Sequence, residues 1–242
     1  LRTADRQKDH FLAMLAHELR NPLAPIATAA QLLKMAPDSV QNVLQASEII
    51  DRQAIHMGNL VEDLVDVSRV TRGLTVLKRR RVRLSDIVEA AIEQTMPLMT
   101  KRGHRFDLAD RAMGVELWAD PSRLTQILSN LLNNAAKYTP PNGEVALEVD
   151  RHGQEVVLRV RDNGIGIEPA LLSRVFELFA QAESTPQRHE GGLGIGLALA
   201  RSLTRLHDGT LRAFSAGVGE GSLFELRLPC DPSSIPDDAA TG

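Results

Sequence analysis

Aromatic residues are nearly missing from this 242-residue chain, which has six Phe, one Trp and one Tyr, 3% in all. A core of any size must therefore come from Leu, Val, Ile and Ala, and the length leaves room for one or two domains. The single cysteine, Cys230, excludes an intrachain disulfide and a cysteine-based metal cluster, which fits a reducing, cytoplasmic setting. No apolar run approaches the roughly 18 residues that span a bilayer, and the first residues lack a charged-then-apolar signal pattern. The segment therefore reads as soluble, with no direct membrane contact of its own. It starts at Leu1 and not at Met, so it reads as an excised piece whose parent can carry a membrane anchor upstream. Strong charge of one sign is lacking too: a net charge of −3 gives no general electrostatic attraction to nucleic acid. What is present, 43% hydrophobic and 24% charged residues, is the make-up of a globular protein.

From about Ala4 to Met35 the residues Leu12, Leu15, Leu19, Leu23, Ile26, Ala30 and Leu33 recur at steps of three, four and seven, which predicts a helix with one apolar stripe. Ala36 to Ser39 breaks it, with Asp38 or Ser39 suited to cap a second helix from about Val40 to Val70. There Val43, Ile50, Met57 and Leu64, with Leu60 and Val67 one turn offset, keep a seven-residue step. Two long helices with one stripe each make a thin hairpin that leaves apolar surface bare. Dimerisation into a four-helix bundle would bury it, and so would packing on the chain's own second half.

After Thr71-Arg72-Gly73 the texture changes. Leu74 to Leu84 reads as connector and strand, whose basic run Lys78-Arg79-Arg80-Arg81 with Arg83 is a solvated face or an anion site. Ser85 is suited to cap a helix reaching about Met99, and short strands follow near His104 to Leu108 and Val115 to Trp118. Asp120-Pro121-Ser122 opens a helix ending near Tyr138. Alternation in Val145, Leu147 and Val149, then in Val156, Leu158 and Val160, predicts a hairpin turning at Arg151-His152-Gly153. Gln181 to Glu190 reads as a loop, followed by a glycine-opened helix to His207 and strands at Thr210 to Ser215 and Ser222 to Leu228. The expected division is 1–72, 73–230 and a linker-like tail, 231–242.

Four constellations carry chemistry. His17 lies five residues after Leu12, about 140° around a helical wheel, so it faces away from the stripe. A neutral imidazole there is a nucleophile, and the adjacent Glu18 can fix its tautomer; the plain alternative is an exposed histidine beside a solvated glutamate. Pro22 withholds the backbone bond to the Glu18 carbonyl and is expected to loosen the helix one turn on. Asn130, Asn134 and Lys137 share a helix face: amide oxygens suit Mg²⁺ and a lysine suits phosphates, or the face is merely polar. Asp162-Asn163-Gly164-Ile165-Gly166-Ile167 offers an acceptor for an exocyclic amine on a close-approach loop, or a tight turn with an Asx cap. Gly191-Gly192-Leu193-Gly194-Ile195-Gly196 opens a helix whose backbone amides can hold phosphate oxygens, though it is not the dinucleotide fingerprint.

In this order the motifs resemble the catalytic core of bacterial sensor histidine kinases, from about Arg6 to Pro229. The matching boxes are His17-Glu18-Leu19-Arg20-Asn21-Pro22-Leu23, Asn134-Ala135-Ala136-Lys137-Tyr138, Asp162-Asn163-Gly164-Ile165-Gly166, Phe176 to Phe179, and Gly192-Leu193-Gly194-Ile195-Gly196-Leu197. The resemblance implies a helical hairpin forming a dimeric four-helix bundle, followed by an α/β sandwich ATP-binding domain of the histidine kinase, chaperone and topoisomerase superfold. It implies ATP and Mg²⁺ as cofactors, autophosphorylation of His17 beside Glu18, and transfer to an aspartate on a receiver domain of a response regulator. By the same resemblance Asn134 and Asn130 hold the metal, and Lys137 and Tyr138 lie near phosphates and ribose. Asp162 reads the adenine amino group, with Gly164, Gly166 and Ser222 around the base. Gly192, Gly194 and Gly196 form the phosphate wall, and residues 181–190 a lid.

The chain departs from the commonest family pattern at three places. Asn21 stands where many members have threonine, a position that in the family helps orient a water removing phosphate from the receiver, so phosphatase activity joins the reading. Leu193 replaces a frequent threonine, which leaves that phosphate contact to backbone. Pro25 beside Pro22 is similar to members fused to sensors and receivers, a hybrid arrangement. The competing expectations are an ATPase of the same superfold without histidine phosphorylation, and a catalytically inactive signalling scaffold.

Overall fold

The apolar stripe at the start of the chain lies on α1 (Arg2–Met35), which remains helical through both Pro22 and Pro25. This computed structural model describes residues 2–35, 38–112, 114–178, 180 and 194–230, with backbone alone for 2–14, 17, 18, 56, 59, 63 and 71. The second helix, α2 (Val40–Thr71), starts at Ser39, whose hydroxyl accepts the Asn42 N–H. The two pack side by side as a hairpin. Its seam is narrower than the stripe suggests, with Pro22, Ala29, Ala46, Leu60 and Val67 buried while Leu23 is 49% exposed. Leu44, Ile55, Val61 and Val65 on α2 are also exposed, so the hairpin carries apolar surface that its own packing leaves bare.

The second half alternates strands and helices: β1 (Arg80–Arg83), α3 (Leu84–Lys101), β2 (Arg105–Asp110), β3 (Glu116–Ala119) and α4 (Pro121–Tyr138) come first. There follow β4 (Glu144–His152), β5 (Glu155–Asp162), α5 (Pro169–Leu172), α6 (Gly196–Leu206), β6 (Thr210–Phe214) and β7 (Ser222–Pro229). Five strands form a mixed sheet in the order β2-β4-β5-β7-β6, with only β2 and β4 parallel, while β1 and β3 pair separately.

Period-two alternation gives this sheet two unlike faces. Val145, Leu147, Val149, Val156, Leu158, Val160, Phe224, Leu226 and Leu228 are buried and share one core with Leu128, Leu131 and Leu132 of α4 and Leu199 and Leu203 of α6. Each such aliphatic side chain contributes about 1.5–3 kcal/mol by leaving water. The opposite face carries charge: Arg159 pairs across strands with Asp150 and Glu225, and Glu225 pairs along its own strand with Arg227. This is the α/β sandwich, covered on one face by helices, that the sequence resemblance implies.

The expected cap at Ser85 is corrected. The cap lies two residues earlier, at Arg83, so the helix starts at Leu84 with no side-chain capping bond. The reason is tertiary: Leu84 is 2% exposed, and its N–H donates to the Val115 carbonyl at 2.9 Å, which fixes the chain's direction before Ser85 is reached.

The hairpin meets the second half through α2. Asp66 accepts from Arg123 and Gln126 of α4, and α2 packs on α6. A cleft of about 210 Å³ lies there between Val67 and Val70 on one side and Phe176, Leu178 and Arg201 on the other. The connector is pinned as well: the Lys78 N–H donates to Asp120 Oδ2 at 2.9 Å, and Arg79 donates to Asp208 and to the Leu206 carbonyl.

Candidate nucleotide site

α4 is built to present one polar face. Asp120 caps it, accepting from the Arg123 N–H at 3.3 Å and the Ser122 hydroxyl at 2.8 Å, with Pro121 in the first turn. Burial raises the Asp120 pKa, but hydrogen bonds from Lys78, Ser122 and Arg123 outweigh that and hold it below the ordinary carboxylate value. The helix buries Leu124, Ile127, Leu128, Leu131, Leu132, Ala135 and Ala136, which leaves Asn130, Asn134 and Lys137 half-buried on the other side. The Asn130 amide N–H donates to the Gly196 carbonyl at 3.2 Å, which ties the polar face to the entry of α6. The Lys137 ammonium lies 5.1 Å above the centre of the Tyr138 ring.

Asp162 ends β5 and is 7% exposed. Its Oδ1 accepts the Gly164 N–H at 2.8 Å, and its Oδ2 accepts the hydroxyl of Ser222, the residue opposite it in the β5–β7 register. The carboxylate is thus oriented at the mouth of the sheet, where a strand end meets a loop. That loop is close to the end of α4: the Ile165 N–H donates to the Tyr138 carbonyl at 3.1 Å, and a Cβ on Gly164 would stand 2.5 Å from that same oxygen. Gly166 has φ +67°, and a Cβ there would lie 1.9 Å from the Gly217 carbonyl, so no other residue fits.

Sequence reasoning missed the segment between β6 and β7. The Ser215 hydroxyl accepts from Ile167 N–H at 3.0 Å, Gly219 N–H donates to the Ile165 carbonyl at 2.7 Å, and Gly221 N–H donates to the Gly164 carbonyl at 3.1 Å. The signal was available in the spacing of Gly217, Gly219 and Gly221 between two strands.

The structure therefore joins Asn130 to Gly196, and Tyr138 to the loop of Asp162, Gly164 and Gly166 with Ser222, both groups lying along α4, which also carries Asn134 and Lys137. Gly194, at φ +66°, lies just ahead of α6. Gly192, Leu193, Phe179 and the expected lid at 181–190 lie outside the described residues, as does the tail from 231. His17 and Glu18 are on α1, described by backbone alone; Asn21, one turn on, is exposed. Among the described residues no group of three or more His, Cys, Asp or Glu is placed to hold a metal ion.

A mixed sheet, helices on one face and an aspartate at a strand end beside an asparagine-bearing helix define an ATP-binding sandwich, here joined to a two-helix phospho-acceptor unit. Two family models match in that order: "His Kinase A (phospho-acceptor) domain" over residues 7–73, and "Histidine kinase-, DNA gyrase B-, and HSP90-like ATPase" over residues 119–232. The chain is similar to the sensor histidine kinase RppB of Synechocystis, 34% identical over 227 residues, covering 93% of this chain and 49% of RppB. It is 30% identical to the autoinducer 2 sensor kinase/phosphatase LuxQ of Vibrio vulnificus, covering 91% of this chain and 26% of LuxQ. Among solved structures, full-length ShkA in complex with AMPPNP matches with a TM-score of 0.67 and 27% identity, over 90% of this chain and 45% of ShkA. The chain belongs to the sensor histidine kinases and comprises their catalytic core. It spans half or less of the length of these relatives.

Proposed function

We propose that this core binds ATP at the α4–Asp162 site, autophosphorylates His17 and passes the phosphoryl group to an aspartate of a receiver domain. The observation that carries the reading is Asp162, a buried carboxylate held from both sides by Gly164 and Ser222 and backed by the asparagine face of α4. An acceptor so fixed suits the exocyclic amine of adenine, and Gly164 and Gly166 let the base approach the backbone. Lys137 and the backbone around Gly194 and Gly196 suit the phosphates, with Gly192 and Leu193 extending that wall.

Asn134 and Asn130 would hold Mg²⁺ by their amide oxygens. When bound, the ion supplies charge neutralisation on the phosphates. In the transfer, a ring nitrogen of His17 forms the N–P bond as the bond from the γ-phosphorus to the bridging oxygen breaks. ADP leaves with that electron pair. Glu18 holds the other ring nitrogen and supports the charge developing on the imidazole. Because phosphoryl transfer depends mainly on positioning, the site residues matter as much as the nucleophile.

Asn21 would take part in the removal of phosphate from the receiver, a reading supported by the kinase/phosphatase name of LuxQ. The exposed apolar side chains of the hairpin support assembly as a homodimer through a four-helix bundle. The one-cysteine composition supports a cytoplasmic setting, and among the described residues no helix is long and apolar enough to cross a membrane. The division proposed is 1–72 for dimerisation and phosphotransfer, and 73–230 for ATP binding.

Incubation with γ-labelled ATP and Mg²⁺ should give acid-labile, base-stable label on the protein. His17→Gln should abolish the label and leave ATP binding intact, whereas Asn134→Ala should weaken Mg-ATP binding on nucleotide titration. Label retained on His17→Gln, or free phosphate released with no labelled protein, would sink the proposal.

A further inference from the structure

The asparagine face and the adenine loop are joined at one short stretch of backbone, the end of α4, and that stretch is held from behind by a residue with no place in any of the motifs. Arg102 follows directly on α3, with its own N–H donating to the Leu98 carbonyl at 3.1 Å. Its Nη1 lies within hydrogen-bond distance of three carbonyls, those of Ala136 at 3.1 Å, Lys137 at 2.6 Å and Thr139 at 3.3 Å. The carbonyl between them in sequence, that of Tyr138, accepts instead from Ile165 in the Asp162 loop. One guanidinium nitrogen is thus shared, through its two N–H groups, among three of the last four carbonyls of the helix end, and the nucleotide loop takes the other.

The surroundings stiffen this joint. The Arg102 carbonyl accepts from the Asn142 N–H at 3.0 Å, and His104 Nε2 stands 3.3 Å and 3.2 Å from the carbonyls of Thr139 and Pro140. Asn163, next to Asp162, accepts from the Glu144 N–H at 2.8 Å through its side chain and donates back to the Glu144 carbonyl at 3.2 Å. A cation at a helix C-terminus is electrostatically favoured, and the planar guanidinium fixes the direction of its N–H groups as well as supplying charge.

We infer that Arg102 is a positioning residue for nucleotide binding: by fixing the last turn of α4 it sets the Lys137 and Tyr138 side chains and the spacing of the Tyr138 carbonyl to the Asp162 loop. The inference rests on the reading of that site as the ATP site. Arg102 touches no substrate; it acts through the backbone of residues 136–139. A lysine ammonium sits on a flexible stem and lacks the planar head that fixes where Nη1 points, so it would hold this position less firmly.

The chain's single tyrosine is Tyr138, which makes the joint directly observable. With 3-fluorotyrosine incorporated, the protein gives one ¹⁹F resonance that reports the end of α4. Arg102→Met, which keeps the stem and removes the donors, should shift that resonance and raise the Kd for Mg-ATP about tenfold, as should the apparent KM for autophosphorylation. The rate at saturating ATP should be unchanged. Arg102→Lys should fold and fall between the two. Wild-type ATP affinity and an unmoved resonance in either variant, with only the melting temperature lowered, would overturn the inference and leave the ATP site standing. If Arg102→Met fails to fold, Arg102→Lys carries the test alone. Failure of the unaltered chain to bind Mg-ATP would overturn the site reading, and this inference with it.

Discussion

His207 has both ring nitrogens committed, which ties its protonation state to the fold. Nε2 accepts the Asp120 N–H at 3.1 Å, so Nδ1 carries the proton and donates to the Leu203 carbonyl at 2.9 Å. Burial at 4% exposure lowers its pKa, Arg79 lowers it further, and the Leu203 carbonyl, Asp120 and Asp208 only partly oppose them. Above the ordinary value of 6.5 the ring is neutral in both folded and unfolded chains, so stability is full there. Below it the unfolded chain takes up the proton first, and stability falls as pH drops toward the depressed folded value. The melting temperature should therefore decline from pH 7 to pH 5. His207→Gln should melt lower at pH 8 yet show a flatter decline, and an unchanged slope would remove His207 as the cause. At this scale the sequence was legible where chemistry is local: Asp162 is read from its own loop. Arg102 and His207 were not, because their partners are 34 to 37 and 87 positions away.

The same contrast separates the elements. β4 and β5 were legible because strict alternation in Val145, Leu147, Val149, Val156, Leu158 and Val160 already states which face is buried. The start of α4 was legible because Asp120-Pro121-Ser122 carries its own cap and first turn. The start of α3 was not, because a bond from Leu84 to Val115 decides it. Asp120 accepts also from Lys78, so one side chain begins the helix and fastens the connector. Asp120→Ala should cost about 1–2 kcal/mol in denaturant unfolding, with Asp120→Asn recovering much of it through the retained cap. Equal losses for the two would point to the charge and not to the cap.

At the scale of the whole molecule, the hairpin and the sandwich are held by the polar clasp of Asp66 with Arg123 and Gln126, beside the cleft under Val67 and Val70. Asp66 and Arg123 are 13% and 26% exposed, so added salt should weaken the clasp little. Asp66→Ala should speed amide exchange in the last turns of α2 while ATP affinity stays at the wild-type value; unaltered exchange would mean that the apolar contacts hold the halves alone. Neither partner announces itself in the sequence, since an exposed-looking aspartate on a helix gives no hint of an arginine 57 positions on. The charged outer face of the sheet has a different consequence. Slide β5 along β7 by two residues and the inner face hardly notices, since Leu158 meets Phe224 or Leu228 in place of Leu226. Outside, Arg159 would lose Glu225 and face Arg227 or Leu223, which breaks the ion pair that crosses the two strands. The charges act as a vernier, marking the one alignment that sets Ser222 against Asp162.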